Sequence, residues 1–565
     1  MKRKLAMLLL VCMLVGVFAT PASVFAEDIQ EPGDIAKVLI YTEGGVNIPS
    51  DKSKVNCEII IVDEAGGEYE TISAENCTVN VRGNSTSSAY KKPYNIKFES
   101  KTDVLGMGKN KKWSLLANCY DKTLIRNAVV MDFAKELGVP YTPDYRFVDV
   151  YVNDELHGSY LLIDSIEVGE TRVDIDLDNN EYLLELDWNP EDSDCYYFYS
   201  FGGGLKFAIN EPEIDELTRE QQKYVEDLIA DAEDALLYGD FEEIQKYFDI
   251  ESMAKFYLTL EFFRNIDVAT SSTRFHIKGG KIYGGPVWDF DLSSGNYNVD
   301  YYGAGTLEQR FHATKMKWFG ELVKFDEFQS IVNEYFLEMQ DTIVNLYADN
   351  LIGVNKIDTM IETYGASFDR NHNEAGWAPN VVHHSSMQLE RHPDETYEEN
   401  VEFYRNWLKE RNEWLVEEWG LKSFIEVDSE SGLIQDGFFI KGIQADTTVS
   451  DLLGKFSSDD VYIEYNGETL APDDIVPNGS IATVGGASYL LEVEGSDVML
   501  GDINNDGAIN QYDYILVKRH YFETRYLTDD EMTRADVNVD GAINQYDYIL
   551  IKRHYFGTYV IGGND

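Results

Sequence analysis

Asp502-Ile503-Asn504-Asn505-Asp506-Gly507-Ala508-Ile509-Asn510-Gln511-Tyr512-Asp513 has the layout of a twelve-residue calcium loop. Oxygen-bearing side chains stand at positions 1, 3, 5, 9 and 12, glycine at 6, and Ala508 at position 7 offers its carbonyl. Calcium takes roughly six to eight hard oxygen ligands, and the glycine permits the sharp turn that gathers them. The pattern returns with Asp536, Asn538, Asp540, Gly541, Ala542, Asn544 and Asp547. Each loop runs into a nearly identical segment, 510–522 and 544–556, in which only Val517 changes, to Ile551. Two copies spaced 34 residues apart are too few to stack as a solenoid, so the loops decide the reading. Ile509 and Ile543 fill position 8, where paired loops meet.

Two features depart from an ordinary EF-hand: position 12 is Asp rather than Glu, and no entering helix precedes Asp502. In both, residues 499–560 resemble the type I dockerin family. The resemblance implies an all-α module of paired loops, each followed by one helix and folded by two Ca2+ ions. Its partner would be a cohesin module of a scaffoldin. The family's recognition positions fall on Gln511, Tyr512, Lys518 and Arg519, and again on Gln545, Tyr546, Lys552 and Arg553. Twofold internal symmetry implies two binding orientations.

Upstream, residues 423–496 alternate apolar and polar side chains, as in Val461-Tyr462-Ile463-Glu464-Tyr465, with turn signals at Asn466-Gly467 and Asn478-Gly479. That pattern predicts a small β-rich domain or spacer. At the other end, Met1-Lys2-Arg3-Lys4 precedes an apolar run from Leu5 to Phe18 and the small residue Ala26. Residues 1–26 therefore read as a secretory signal peptide, since the run is shorter than the roughly 20 residues of a spanning helix. The expectation is a secreted, extracellular chain without a membrane span, attached to a scaffold or cell surface. A net charge of −54 excludes a general nucleic-acid binder, which needs a basic footprint. Cys57, Cys77, Cys119 and Cys195 follow no zinc spacing, and their pairing stays open.

Residues 34–420 form the large block. Glu58–Val62, Thr78–Val81, Tyr94–Phe98 and Phe147–Val152 read as strands, interrupted by a helix over 124–137 that Gly138 and Pro140 stop. Beyond residue 214 the texture turns helical, starting with a capping box at Thr218 and Gln221. Strands followed by helices predict an α+β fold, bilobal in arrangement. A helix carrying Met253, Phe256, Tyr257 and Leu260 ends before Asp267. A hairpin turning at Gly279-Gly280 then delivers Asp289-Phe290-Asp291. Helix, loop aspartate, hairpin and metal-binding aspartate is the order of protein kinases.

Several segments, taken in order, resemble the CotH kinase-like family: Val81-Arg82-Gly83-Asn84-Ser85, Lys91 to Phe98, Leu115 to Asn118, Leu124 to Asn127, and Val152 to Leu162. Asn265-Ile266-Asp267, Gly285 to Asp291, and the tryptophans from Trp407 to Trp414 complete the set. The resemblance implies an atypical kinase moving phosphate from ATP to Ser or Thr of exported proteins. Asp267 would orient the attacking hydroxyl, Asp289 and Asp291 would hold Mg2+, and Arg82 with Lys92 or Lys97 would meet the nucleotide. Spacing does not choose between the two lysines. The chain lacks GxGxxG, HRD and APE, and Ser272 stands five residues past Asp267, where kinases offer asparagine. An inactive interaction component of the complex and an accessory protein in polysaccharide degradation are the alternatives. Asp289 and Asp291, two residues apart, do not readily flank a sugar bond as glycosidase carboxylates must.

Overall fold

The computed structural model describes residues 35–565 except 65–66, 188–194, 300–309, 350–354, 381–388, 392–394, 422–424, 426, 428–430, 437–438, 457, 459, 466–467, 485–486, 495–498, 522–524, 538–542, 558–560 and 562–565. The predicted signal peptide, the Asn466-Gly467 turn, and Asn538, Asp540 and Ala542 of the second loop lie outside these residues. Two compact units emerge, and each is assembled from separated stretches of chain. The first draws on the chain up to Met253, on Asn265–Thr306 and on Thr363–Val401; the second on Ala254–Arg264, Leu307–Glu362 and Glu402–Asp565.

In the first unit, the four strands read from the sequence are present and longer than it suggests, as β2 (Val55–Val62), β3 (Ile72–Val81), β4 (Tyr94–Asp103) and β6 (Tyr145–Val152); β1 (Lys37–Thr42), β5 (Lys109–Leu116) and β7 (Glu155–Asp164) join them. Their order, β1-β2-β3-β4-β5-β7-β6, closes into a barrel. Closure comes from β1 lying parallel to β6, with Lys37 opposite Asp149 and Ile40 opposite Val152. Alternate residues point inward: Val38 and Ile40, Ile59 and Ile61, Val79 and Val81, Trp113 and Leu115, Val148 and Val150 all belong to one buried core. The expected α+β class holds, while the strand-rich part proves to be a barrel, a closure that two-residue periodicity cannot reveal.

The helix Arg126–Leu137 leads into β6 and ends on Gly138, whose φ of 79° gives the left-handed cap that a side chain would disfavour. A second sheet has the order β12-β11-β8-β10-β9, with β8 Tyr182–Leu186, β9 Tyr196–Tyr199, β10 Lys206–Glu211, β11 Thr273–Lys278 and β12 Lys281–Gly284. The β11–β12 hairpin turns at Gly279 and Gly280, both at positive φ, as a tight two-residue turn requires. Helix Arg219–Tyr238 starts with the predicted capping box between Thr218 and Gln221. Helix Ile250–Phe262 carries the four apolar residues expected before Asp267.

In the second unit, residues after Gly420 form a six-stranded sheet, Ile434–Asp436, Phe439–Gln444, Ala487–Glu494, Ser480–Val484, Tyr462–Tyr465 and Glu468–Thr469 in spatial order. Ile440, Ile443, Leu452, Ile463, Ala482 and Leu491 make its core. The calcium-type loops lead into helices Gln511–Tyr521 and Gln545–Tyr555, which pack through Leu516, Val517 and Ile551. A short helix the sequence reading did not include, Asp529–Ala535, stands between them and is capped by Thr528 and Glu531. The four cysteines among the described residues are free thiols; Cys57 and Cys77 face each other across β2 and β3. Among the described residues, no helix is long and apolar enough to cross a membrane.

Candidate functional site

A cavity of about 790 Å³ in the first unit brings together Arg82, Asp267, Asp289 and Asp291 from among the sequence-predicted residues. Arg82 follows directly on β3, and the Gly83–Ser87 loop continues the wall. Asp267 lies on the turn after helix Ile250–Phe262, held because its N–H donates to Asn265 Oδ1 at 2.9 Å. Asn265 also donates its amide to the Asp289 carbonyl at 2.9 Å, so one side chain sets the spacing of both aspartates. Asp289 has φ of 64°, a left-handed backbone that few residues other than glycine adopt. Ser272 Oγ donates to Asp289 Oδ2 at 3.1 Å, and Asn127 Oδ1 receives the next N–H, from Phe290, at 2.8 Å. Strain of this kind persists where surrounding contacts over-determine it, and it clusters at functional sites.

The electrostatics of the cavity divide by sign. Burial, reinforced by the charge of Asp289, pushes the Asp267 carboxyl up to about 7. Asp291 is raised well above the ordinary carboxylate range by burial and then by Asp289, Asp121 and Asp267. In the same lining, the Arg82 and Arg274 guanidinium carbons stand 5.2 Å and 5.8 Å from the Trp288 ring centroid. Burial pushes Arg82 down to about 10, with Asp289 opposing the shift and Arg274 adding to it. Crowded carboxylates favour a cation, and paired guanidinium groups favour an anion. The cavity therefore suits a ligand that carries both, such as a metal-bound phosphate.

Sequence reasoning missed Arg274 and Glu185. Arg274 Nη2 donates to Glu185 Oε1 at 3.0 Å, and Asn210 Nδ2 donates to the other Glu185 oxygen at 3.2 Å. The available signal was a single acidic residue inside the apolar run Tyr182-Leu183-Leu184-Glu185-Leu186, because a buried charge requires a partner. Neither Lys92 nor Lys97 lines the cavity. Lys92 Nζ donates to the Ser87 carbonyl at 2.7 Å. Lys97 is exposed on β4 and lines an adjacent cleft of about 380 Å³ that shares Arg82, Arg274 and Trp288. The neighbouring Lys91 is the buried lysine. It lies over the Tyr160 ring at 4.6 Å, donates to the Ser159 carbonyl, and is pushed down to about 7 by burial. The lysine in the main cavity is Lys52, from the loop before β2.

The first calcium-type loop curls around its own oxygens. Asp502 accepts from the N–H groups of Asp506 and Gly507 at 3.0 and 2.8 Å. Asp506 Oδ2 accepts from the Asn504 and Asn510 amides at 2.9 and 3.1 Å. Asp513 accepts from Ile503 N–H at 2.6 Å and Asn510 N–H at 2.7 Å. Asp547 repeats this with Val537 and Asn544 at 3.0 and 2.9 Å. Ala508 is exposed on the loop, and Asp536 directly follows helix Asp529–Ala535. Burial, then the Asp506 charge, pushes the Asp502 carboxyl up to about 6. Burial likewise pushes Asp513 up to about 8, with Asp502 and Asp506 adding to it. Buried carboxylates so destabilised as anions fit a divalent cation. Among the described residues, no three His, Cys, Asp or Glu side chains form a metal cluster by themselves. Gln511, Tyr512, Lys518 and Arg553 are exposed, Arg519 and Lys552 are partly so, and the side chains of Gln545 and Tyr546 lie outside the described ones.

A mixed α+β protein with a bipolar cavity and paired calcium-type loops is the class these features define. The profile of the CotH kinase protein family matches residues 79–415, and the chain belongs to that family. At its C-terminus it carries a dockerin type I domain, matched over residues 500–555. Among curated proteins, none matches the chain.

Proposed function

We propose that the chain is a secreted phosphotransferase that moves the terminal phosphoryl group of ATP to a Ser or Thr hydroxyl of an exported protein. Its dockerin, folded by two calcium ions, tethers it to a scaffoldin cohesin outside the cell. The observation that carries the reading is the convergence of Asp267, Asp289 and Asp291 with Arg82 and Arg274 around one cavity. The arrangement is read as an atypical kinase-like catalytic domain over residues 34–420, followed by the β-rich segment 423–496 and the dockerin over 499–560.

Asp267, raised to about 7, is basic enough to accept the proton of the attacking hydroxyl near neutral pH. Asp289 and Asp291 would hold Mg2+, which when bound neutralises phosphate charge and aligns the transferring group. Arg82 and Arg274 offer their N–H groups to phosphate oxygens, both packed near the Trp288 ring and Arg274 also paired with Glu185. Asn265 keeps Asp267 and Asp289 in register. One observation favours a second reading, a nucleotide-binding component without transfer: Ser272, where kinases place a metal-binding asparagine, is tied to Asp289.

Incubation of the full chain with labelled ATP, Mg2+ and a mixed extracellular protein fraction tests both readings. Asp289→Asn and Asp267→Asn should each lower incorporation about 100-fold or more, in line with the loss of a group acting in the transition state. Equal incorporation by both variants and the parent protein would overturn the phosphotransferase reading. Nucleotide binding without incorporation in any of them would favour the second.

A further inference from the structure

One face of the barrel opens on the cleft beside the main cavity. Along β3, β4 and β5 the inward residues Val79, Ile96 and Trp113 belong to the apolar core. Their neighbours point outward, because successive side chains of a strand alternate. Strand register sets these outward residues in two rows: Asn80, Asn95 and Ser114 form one, and Thr78, Lys97 and Lys112 the next. Both rows line the cleft of about 380 Å³ that shares Arg82, Arg274 and Trp288 with the cavity.

Cleft and cavity differ in charge. The cavity gathers Asp267, Asp289 and Asp291. The cleft is lined by five cations, Lys54, Arg82, Lys97, Lys112 and Arg274, and by one carboxylate, Glu167. That carboxylate is already engaged, by Lys112 at 2.6 Å and by Arg172 at 2.8 Å. Lys54 and Lys97 are exposed. Lys97 stands directly opposite Lys112, an arrangement of like charges that costs a sheet stability. In a chain of net charge −54, such a local excess of cations suits an anion.

The nucleotide does not account for these lysines. Its charge lies wholly in the phosphates, whose place is with the metal at Asp289 and Asp291. Thr78, paired with Lys97, stands four residues before Arg82, about 13 Å along β3 at a rise of roughly 3.3 Å per residue. A nucleotide presents only its uncharged base that far from its phosphates.

We propose that the cleft holds the acceptor, and that the acceptor is an acidic segment whose carboxylates lie about four or more residues from the receiving Ser or Thr. This inference rests on the phosphotransferase reading and adds the substrate class to it. Lys54 and Lys97 meet the carboxylates as point charges, and the row of Asn80, Asn95 and Ser114 offers hydrogen bonds to the peptide backbone. The Ser or Thr oxygen bonds to the terminal phosphorus of ATP, the bond from that phosphorus to the bridging oxygen breaks, ADP leaves, and the hydroxyl proton passes to Asp267. Two exposed ion pairs at the upper end of their range amount to about a tenfold preference.

The test gives the full chain ATP, Mg2+ and two synthetic peptides. Each has one serine in an Ala-Gly background, flanked four to six residues away on both sides by Asp in one peptide and by Asn in the other. The proposal expects kcat/KM about tenfold higher for the Asp peptide, and a preference that shrinks as salt is raised. Lys54→Ala/Lys97→Ala should bring the two peptides within about twofold by raising the KM for the Asp peptide, with the KM for ATP moving less than about twofold. Lys54→Glu/Lys97→Glu should turn the preference toward a Lys-bearing peptide, a gain that damage to the fold does not produce. Equal use of both peptides by the parent chain, or incorporation into extracellular proteins but into neither peptide, overturns the proposal while the phosphotransferase reading stands. A rise in the KM for ATP in place of that for the peptide assigns the cleft to the nucleotide and also overturns it. A parent chain that transfers phosphate to no acceptor overturns both.

Discussion

Arg411→Met removes the cation of a fully buried ion pair in the second unit, and the neighbouring contacts set the expected cost. Arg411 Nη2 reaches Glu261 Oε1 at 2.6 Å and the Glu261 carbonyl at 2.7 Å, while Nη1 donates to the Arg310 carbonyl at 3.0 Å. Both partners are 0% exposed. Deleting one member of such a pair costs about 3–5 kcal/mol, because the remaining charge is left in a low-dielectric interior. Here the Glu261 carboxylate keeps the N–H groups of His312 at 2.7 Å and Ala313 at 2.8 Å. That places the loss near the lower end, about 3 kcal/mol. Methionine preserves the unbranched volume beside Trp414, whose ring centroid lies 4.8 Å from the guanidinium carbon. Urea unfolding followed by tryptophan fluorescence reads the loss as a shift in midpoint at unchanged slope. Adding Glu261→Gln should recover about 1–2 kcal/mol, since the uncompensated charge is then gone. A destabilisation below about 1 kcal/mol for Arg411→Met, or no recovery in the double variant, refutes the argument that desolvated charge dominates at this site.

Three further outcomes follow from the packing. His276 is buried between Tyr141 and Tyr283 and pushed from 6.5 down to about 4, chiefly by burial. Its folded-state value lies below the unfolded one, so its stabilising contribution is present above about 6.5 and lost as the pH falls toward 4; the total is about 3 kcal/mol. His276→Phe should therefore lose less stability than the parent protein between pH 7 and pH 4 in paired thermal melts; equal losses contradict the assignment. Gly479→Ala, forced against the Asp506 carbonyl at positive φ, should weaken the first of two calcium-binding events in a calorimetric titration by about tenfold and leave the second unchanged. Trp113→Ala empties a 0% exposed position in the barrel core and should cost about 3–5 kcal/mol, read as a lowered unfolding midpoint.

What the sequence made legible depended on how local the information was. The calcium loop was readable because its ligands sit in one twelve-residue run, and the structure curls Asp502, Asp506 and Asp513 into one turn. Four of the barrel's strands were readable from the sequence, and Gly138 and Thr218 marked helix boundaries that the backbone respects. Barrel closure was not readable, because β1 and β6 meet across more than a hundred residues without any local signature. The aspartates of the cavity could be ordered along the chain. Their arginine partner Arg274 could not, since its pairing with Glu185 depends on how β8 and β11 are aligned. Lys91, Lys92 and Lys97 look alike in sequence, yet one is buried, one is tied to a loop carbonyl and one faces solvent. Whether a lysine is buried or exposed is set by tertiary packing, not by residue type.

The β1–β6 seam bears on where this protein can be cut. The family match begins at Val79, near the end of β3, whereas the wall of the barrel begins at Lys37. A fragment trimmed to the match would forfeit two whole staves and most of a third. It would leave β6 and the remaining stub of β3 with bare edges and would open the lining around Ile96 and Val148 to water. Bare edges of this kind pair with neighbouring molecules, so such a fragment should precipitate on expression. Recombinant work on the cavity therefore has to start upstream of residue 37.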